Sequence, residues 1–316
     1  MKNNRLAASI FLTALCLISM RVPGTLAGDR VDKDVRPSIL AGSWYPRSPE
    51  ALTGTVRGFL SGTEVHPLEG DLKAIIVPHA GYIYSGAVAA HAYKLLENRP
   101  VDRVVLVGPS HRLGFQGISV NLQSAYETPL GRVPVDQQLA RKILDQSSDA
   151  RFIRKAHDAE HCLEIQLPFL QVVLSNFEIV PILMGRQDPK TCMDLAGVLA
   201  SVMDRGGKTL LLASSDLSHY HPYDEAGKLD GRFIERVRGF DPEGLWEDLS
   251  AGKCEACGGG PVMAVLLAAR KMGANRTRIL KYANSGDVTG DHKRVVGYLS
   301  AAVIKSSDTG PNPKSD

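Results

Sequence analysis

The sequence lacks the marks of several common function classes. Its net charge is only +3 over 316 residues, with no basic block and no interleaving of aromatic and basic residues, so nothing points to nucleic acid. No repeat of solenoid period and no coiled-coil heptad is present. The Gly-x-Ser-x-Gly elbow of serine hydrolases is missing around Ser214 and Ser215. Cys254 and Cys257 form a single Cys-x-x-Cys with no second pair, which excludes a structural zinc site built from two such pairs. The apolar run from Leu6 to Met20 falls short of the ~20 residues of a membrane span.

What is present is ordinary globular composition, 44% hydrophobic and 22% charged, organised around one stretch. Leu72 to Val77 is a short apolar run that reads as a buried strand. Pro78 stops it and His79 follows at once. Gly81 then allows a tight turn, and Ser85 is placed to cap a helix starting near Gly86. Arg103-Val-Val-Leu-Val-Gly-Pro-Ser-His111 repeats the device, and Leu210-Leu-Leu-Ala-Ser-Ser-Asp-Leu-Ser-His219 repeats it again. Three strands that each end in an imidazole suggest one site, because ligands in open α/β sheets bind at the carboxyl ends of the strands.

Along the chain, Lys2 and Arg5 precede the apolar run, and Arg21-Val-Pro-Gly-Thr-Leu-Ala27 leads to Gly28. This is the pattern of a secretory signal over residues 1–27, which predicts a periplasmic or extracellular protein. An uncleaved anchor is the competing reading. Residues 28–36 read as a polar linker, and the domain is expected over 37–305. Strands and helices alternate from there, with a helix from Ser48-Pro-Glu to Leu60. A helix over Glu160–Leu174 should be split by Pro168. Residues 306–316 read as a disordered tail. The alternation predicts one α/β domain with a central sheet flanked by helices.

The chemistry the residues offer is open at several points. His79 and His111 suit iron, copper or zinc as neutral imidazoles, or are loop histidines bonded to nearby backbone. Asp216 and His219 share a face if their segment turns helical. The carboxylate then raises the basicity of the imidazole, for acid/base work or as a further ligand; otherwise Asp216 caps the next helix. Glu160, His161 and Glu164 lie within one helical turn. A structural or supporting role is favoured for them over a metal-binding pair. Cys254 and Cys257 close as a disulfide in an oxidising compartment, or Cys257, followed by three glycines, serves as a thiolate ligand.

Taken in order, Ala41-Gly-Ser-Trp-Tyr-Pro, Pro-His79-Ala-Gly-Tyr, Gly-Pro-Ser-His111, Glu-His161-x-x-Glu-x-x-Leu-Pro-Phe, Ser-Ser-Asp216-x-x-His219 and Cys257-Gly-x-x-Pro carry a resemblance to the Memo-like family. The resemblance includes protein B of the AmmeMemoRadiSam system and reaches to about Ile304. It implies a fold like that of the class III extradiol dioxygenases. It also implies a metal held by His79, His111 and Cys257, with His219 as the acid/base histidine and Asp216 beside it. A thiolate where those dioxygenases carry a carboxylate favours soft metals and changes the redox potential, so dioxygenase activity does not follow from the fold. The resemblance suggests an iron- or copper-dependent oxidoreductase, with zinc as a further option, acting on a small molecule. A peptide- or ligand-binding protein or a metal-handling protein using the same cleft is the alternative. A functional link to a radical SAM protein is a further implication.

Overall fold

The computed structural model describes residues 34–203 and 208–307. The expected signal and residues 28–33 of the expected linker lie outside the described residues, as do residues 308–316 of the expected tail. The strands are β1 (Val35–Arg36), β2 (Asp71–Val77), β3 (Arg103–Pro109), β4 (Ile118–Val120), β5 (Ala125–Thr128), β6 (Gly131–Pro134), β7 (Ala150–Arg151), β8 (Glu178–Met184), β9 (Thr209–Ser214), β10 (Asp216–His221), β11 (Arg276–Asn284) and β12 (Val295–Lys305). The helices are α1 (Pro49–Ser61), α2 (Tyr82–Lys94), α3 (Gln137–Gln146), α4 (Arg154–Asp158), α5 (Leu167–Val173), α6 (Pro189–Val202), α7 (Tyr223–Arg238), α8 (Pro242–Ser250), α9 (Gly259–Lys271) and α10 (Ser285–Thr289).

The main sheet is mixed and runs β10-β12-β2-β9-β3-β8-β4-β7, with β11 paired to β12. Its centre is parallel: β2 pairs with β9, β9 with β3, and β3 with β8. Those strands are apolar almost throughout because both faces are covered. Alternate residues divide between two cores, as the period of a strand requires. Ile76, Val105, Val107, Ile182 and Leu211 join Leu195, Phe233, Leu245 and Leu266 on one face. Ile75, Val77, Leu106, Ile179 and Leu212 join Leu52, Val56, Tyr93 and Phe169 on the other. The result is a sheet between two helical layers.

Helix boundaries follow local chemistry. Ser48 caps α1 by accepting from the Ala51 N–H at 3.2 Å, with Pro49 in the first turn. Asp136, Asp188 and Asp241 cap α3, α6 and α8 in the same way, each cap contributing about 1 kcal/mol. Pro168 does break the expected long helix. A 3₁₀ turn at Glu164–Gln166 precedes α5, and Pro168 falls in its first turn. The helix after His79 starts four residues earlier than Gly86, at Tyr82, and Ser85 does not cap it. Ser85 Oγ instead donates to the Ala80 carbonyl at 2.8 Å. Gly86 is needed inside α2, since a Cβ there would lie 2.5 Å from the Phe59 ring.

Two boundaries are corrected. Val35 and Arg36, read as the end of a linker, form β1, pair in parallel with β5 and are buried. The segment from Asp216 is a strand and not a helix; its backbone is claimed by β12, a partner remote in sequence.

Candidate metal centre

Because β2, β9, β3 and β8 are parallel, their carboxyl ends share one edge of the sheet. That edge receives His79 after β2, His111 after β3, and Asp216 after β9. A cleft of about 840 Å³ opens there, with His79, His111, His161, Asp216 and His219 in its lining. The ring centroids of His79 and His111 are 5.1 Å apart, those of His79 and His161 5.4 Å, and those of His111 and His161 4.4 Å. One ligand nitrogen from each of the three lies within 4.8 Å of the others. The sequence favoured a structural or supporting role for His161; the fold instead makes it the third imidazole.

The hydrogen bonds fix which nitrogen of His79 faces the cleft. Ser214 Oγ donates its one proton to the Cys162 carbonyl at 2.7 Å, so it can only accept from His79 Nδ1, 2.8 Å away. Nδ1 therefore carries the hydrogen and Nε2 keeps a free lone pair. Gln166 Nε2 also donates to Ser214 Oγ, at 2.9 Å, and Gln166 Oε1 accepts from Tyr93 at 2.6 Å. Burial, with the nearby charge of His111, pushes the pKa of His79 well below the ordinary histidine value. The ring is thus kept neutral, as a metal ligand must be.

Glu160 supports the other two imidazoles. Its Oε1 accepts from His111 Nδ1 at 2.9 Å and its Oε2 from the His111 N–H at 2.6 Å. Oε1 also accepts from the N–H groups of His161 and Cys162. Burial alone would raise the Glu160 pKa, but the hydrogen bond and charge of His111 and the charge of His161 outweigh it and hold the carboxyl at about 2. The ionised carboxylate leaves Nε2 of His111 free for the cleft. Burial and the neighbouring His79 lower His161 to about 3. His161 Nδ1 lies 3.1 Å from Glu160 Oε1, out of line for a hydrogen bond, and is buried with no such partner. Trp44 packs against the same ring, centroids 4.6 Å apart.

Cys257 is placed beside one member of this triad. Its Sγ is 3.1 Å from His79 Nε2. The loop is pinned there by Asp216, whose carbonyl accepts from the Cys257 N–H at 3.2 Å and whose N–H donates to the sulfur at 3.3 Å. Gly258 permits this approach, since a Cβ would lie 2.5 Å from the Ser214 carbonyl oxygen. Burial and then Asp216 push the Cys257 thiol well up, so only a bound cation would make it a thiolate. Cys254 and Cys257 are not joined, and Cys254 is buried in the core.

Asp216 and His219 reach the cleft by a different route from the expected helix face. Residues three apart on a regular strand point to opposite faces. The pairing of β10 with β12 slips between Asp216 and His219, and such a bulge re-aims a side chain. Asp216 Oδ1 accepts from the His79 N–H at 2.7 Å, and burial lifts its carboxyl to about 6. His219 Nδ1 donates to the Leu217 carbonyl at 2.7 Å, which leaves its Nε2 for the cleft.

Glu164 takes no part in the triad. Its carboxylate is fully buried and pairs with Arg36, and it accepts from Ser38 Oγ at 2.8 Å, Tyr45 Oη at 2.6 Å and the N–H groups of Ile39 and Leu40. Arg36 also donates to the carbonyls of His157 at 3.1 Å and Glu160 at 2.6 Å. Residues 36–45 therefore brace the segment that carries Glu160 and His161.

These residues fit a single transition-metal ion. His79, His111 and His161 offer the three donors that come together, and imidazoles suit iron, copper or zinc; Cys257, the expected third ligand, lies against His79 Nε2 but completes no such grouping with His111. A second grouping, His111 with Glu160 and Cys162, is a poorer holder. Both Glu160 oxygens are already taken, and Cys162 Sγ, fully buried, donates to the Pro109 carbonyl at 3.2 Å.

Residues 36–302 match the family described as Memo-like protein. A MEMO1 family protein of Methanothermobacter thermautotrophicus is 39% identical over 272 residues, covering 84% of this chain and 98% of that protein. One of Methanosarcina mazei is 39% identical over 273 residues, covering 86% and 99%, and one of Sulfolobus acidocaldarius 37% over 280 residues, covering 84% and 98%. An uncharacterized protein from Escherichia coli K12 of known structure superposes with a TM-score of 0.52 at 15% identity, covering 73% of this chain and 99% of that one. That likeness concerns the fold alone, and it agrees with the mixed α/β architecture expected from the resemblance. With strand-end histidines, bulged Asp216 and His219, and cysteine loop all inside the matched span, the chain belongs to the Memo-like family.

Proposed function

We propose that the cleft is a mononuclear iron or copper centre at which a small substrate is oxidised or reduced. The observation that carries this reading is the triad of imidazoles whose ligand atoms lie within 4.8 Å of one another. Two of the three have Nδ1 occupied by a hydrogen-bond acceptor, the arrangement that orients metal-binding histidines. When bound, such a metal supplies one-electron chemistry and a Lewis acid. The chain's own residues supply the rest. Ser214 holds His79, and Glu160 holds His111, in one tautomer. Trp44 shields the His161 ring. His219 Nε2 is placed to take or return a proton at the substrate, and Asp216, with its raised pKa, is a candidate to share it.

The test is anaerobic purification followed by metal analysis and oxygen uptake with candidate reductants. A single iron or copper per chain, lost in His79→Ala and in His111→Ala, and substrate-dependent oxygen uptake lost in His219→Gln, are expected. Comparing Cys257→Ser with His161→Gln shows which supplies the third donor. Rapid metal exchange without any turnover would overturn the enzymatic reading in favour of metal handling.

We also propose that residues 1–27 direct export and are removed. Amino-terminal sequencing of protein from the native host should begin near Gly28; an intact Met1 in a soluble cytoplasmic fraction would refute it.

A further inference from the structure

The mouth of the cleft differs in charge from its floor. The floor carboxylates are engaged: Glu160 accepts from the backbone and side chain of His111 and from the N–H groups of His161 and Cys162, and Asp216 from the His79 N–H. At the mouth stand Arg112 and Arg294, both exposed and both lining the same cleft. Asp291, also at the mouth, is the one exposed carboxylate among the lining residues, and its Oδ1 accepts from the Lys293 N–H at 2.9 Å. Arg294 is positioned by an aromatic ring: its Cζ lies 4.9 Å from the centroid of Tyr220. Stacking on a ring face leaves the edge of a guanidinium free to donate. Tyr220 holds φ at 64°, in the left-handed region that a bulky residue rarely adopts. The strain falls on the residue that carries Arg294.

Trp44, Tyr84, Val296 and Tyr298 give the cleft an apolar and aromatic lining, with the hydroxyls of Ser43, Ser285 and Thr289 among them. A volume of about 840 Å³ suits a small organic molecule. We propose that the cleft selects a small organic anion, with a carboxylate or phosphate held by Arg112 and Arg294 and an apolar body lying along Trp44 and Tyr298 toward the imidazoles. This rests on the cleft being the substrate site described above, and it names the class of substrate and the two residues that choose it. A guanidinium fork meets either oxyanion in two-point fashion.

The test uses a matched pair of fluorescent probes on the full chain, with metal content measured alongside. 8-Anilinonaphthalene-1-sulfonate carries an anion on the same ring body as neutral N-phenyl-1-naphthylamine. The sulfonate should bind at least about tenfold more tightly, the preference expected of one charge-assisted contact. Benzoate or phenyl phosphate should displace it where benzyl alcohol does not, and the stronger competitor identifies the oxyanion. Arg112→Gln with Arg294→Gln should abolish the preference while leaving the neutral probe, the circular dichroism and the melting temperature unchanged. Equal affinity for the two probes in metal-replete protein, or a preference that survives the double substitution, overturns the proposal and leaves the metal reading standing. A preference kept by protein that binds no metal supports the anion site and overturns the metal reading alone.

Discussion

Glu160 and Glu164 stand four residues apart on one buried segment, yet they belong to different halves of the molecule's logic. The Glu160 end faces the cleft and spends its oxygens on His111, His161 and Cys162. The Glu164 end faces away and spends its oxygens on Arg36, Ser38, Tyr45 and the backbone of Ile39 and Leu40. Both are buried carboxylates that would be costly without partners. The difference lies in what the partners do. One set tunes ligands, whereas the other joins the start of the fold to its site.

The comparison is broken most directly at Glu164. Glu164→Gln strands the Arg36 guanidinium in the interior, and breaking a buried pair costs about 3–5 kcal/mol. Chemical denaturation should show that loss, while the protein that remains folded keeps its metal. If Glu164→Gln removes metal from folded protein, Glu164 is a ligand and the division between the two ends fails. Glu160→Gln should do the reverse. Removing the carboxylate behind a metal-binding histidine lowers metal affinity about 10- to 100-fold, read by competition with a chelator.

A third test uses pH at His157, whose carbonyl Arg36 holds. Its ring lies between Ser119 Oγ at 3.0 Å and Tyr126 Oη at 3.1 Å. Burial, with the charge of Arg36, lowers its pKa to about 3 from 6.5. The unfolded chain therefore takes up a proton first as pH falls. The stability this ring contributes is complete above pH 6.5, and it is lost progressively as pH drops from there toward 3. By pH 5 the loss is about 2 kcal/mol. Denaturation curves at pH 8 and pH 5 should differ by that much more in the wild type than in His157→Gln. The smallest effect is expected at Ser214→Ala. It removes a neutral acceptor from His79, worth about 1 kcal/mol, so metal affinity should fall by less than in Glu160→Gln. A larger fall would mean that the hydroxyl side governs the centre.

The strand-end histidines were legible because an apolar run, a proline and a histidine are all local signals. The split at Pro168 and the helix start at Ser48 were legible for the same reason. What escaped depends on partners distant in sequence. Arg36 read as linker because nothing near it announces Glu164. Asp216 and His219 read as possibly sharing a helix face because the bulged pairing of their segment with β12 has no local trace. His161 and Glu164 were visible as a motif, but a spacing of three cannot say which side faces the cleft. Ser214 was considered only as a nucleophile, and its work as the acceptor behind His79 appears only when Gln166 and Cys162 are brought beside it.

The residues gathered at the cleft come from widely separated parts of the chain, with 178 positions between His79 and Cys257 alone. No unfolded stretch holds the triad together, so a metal that uses it favours the folded state by mass action. Free metal at a hundred times its dissociation constant would add about 2.7 kcal/mol. In a compartment with little free iron or copper, the amount of intact protein would then follow the metal supply. Abundance itself would become a readout of metal, independent of any turnover.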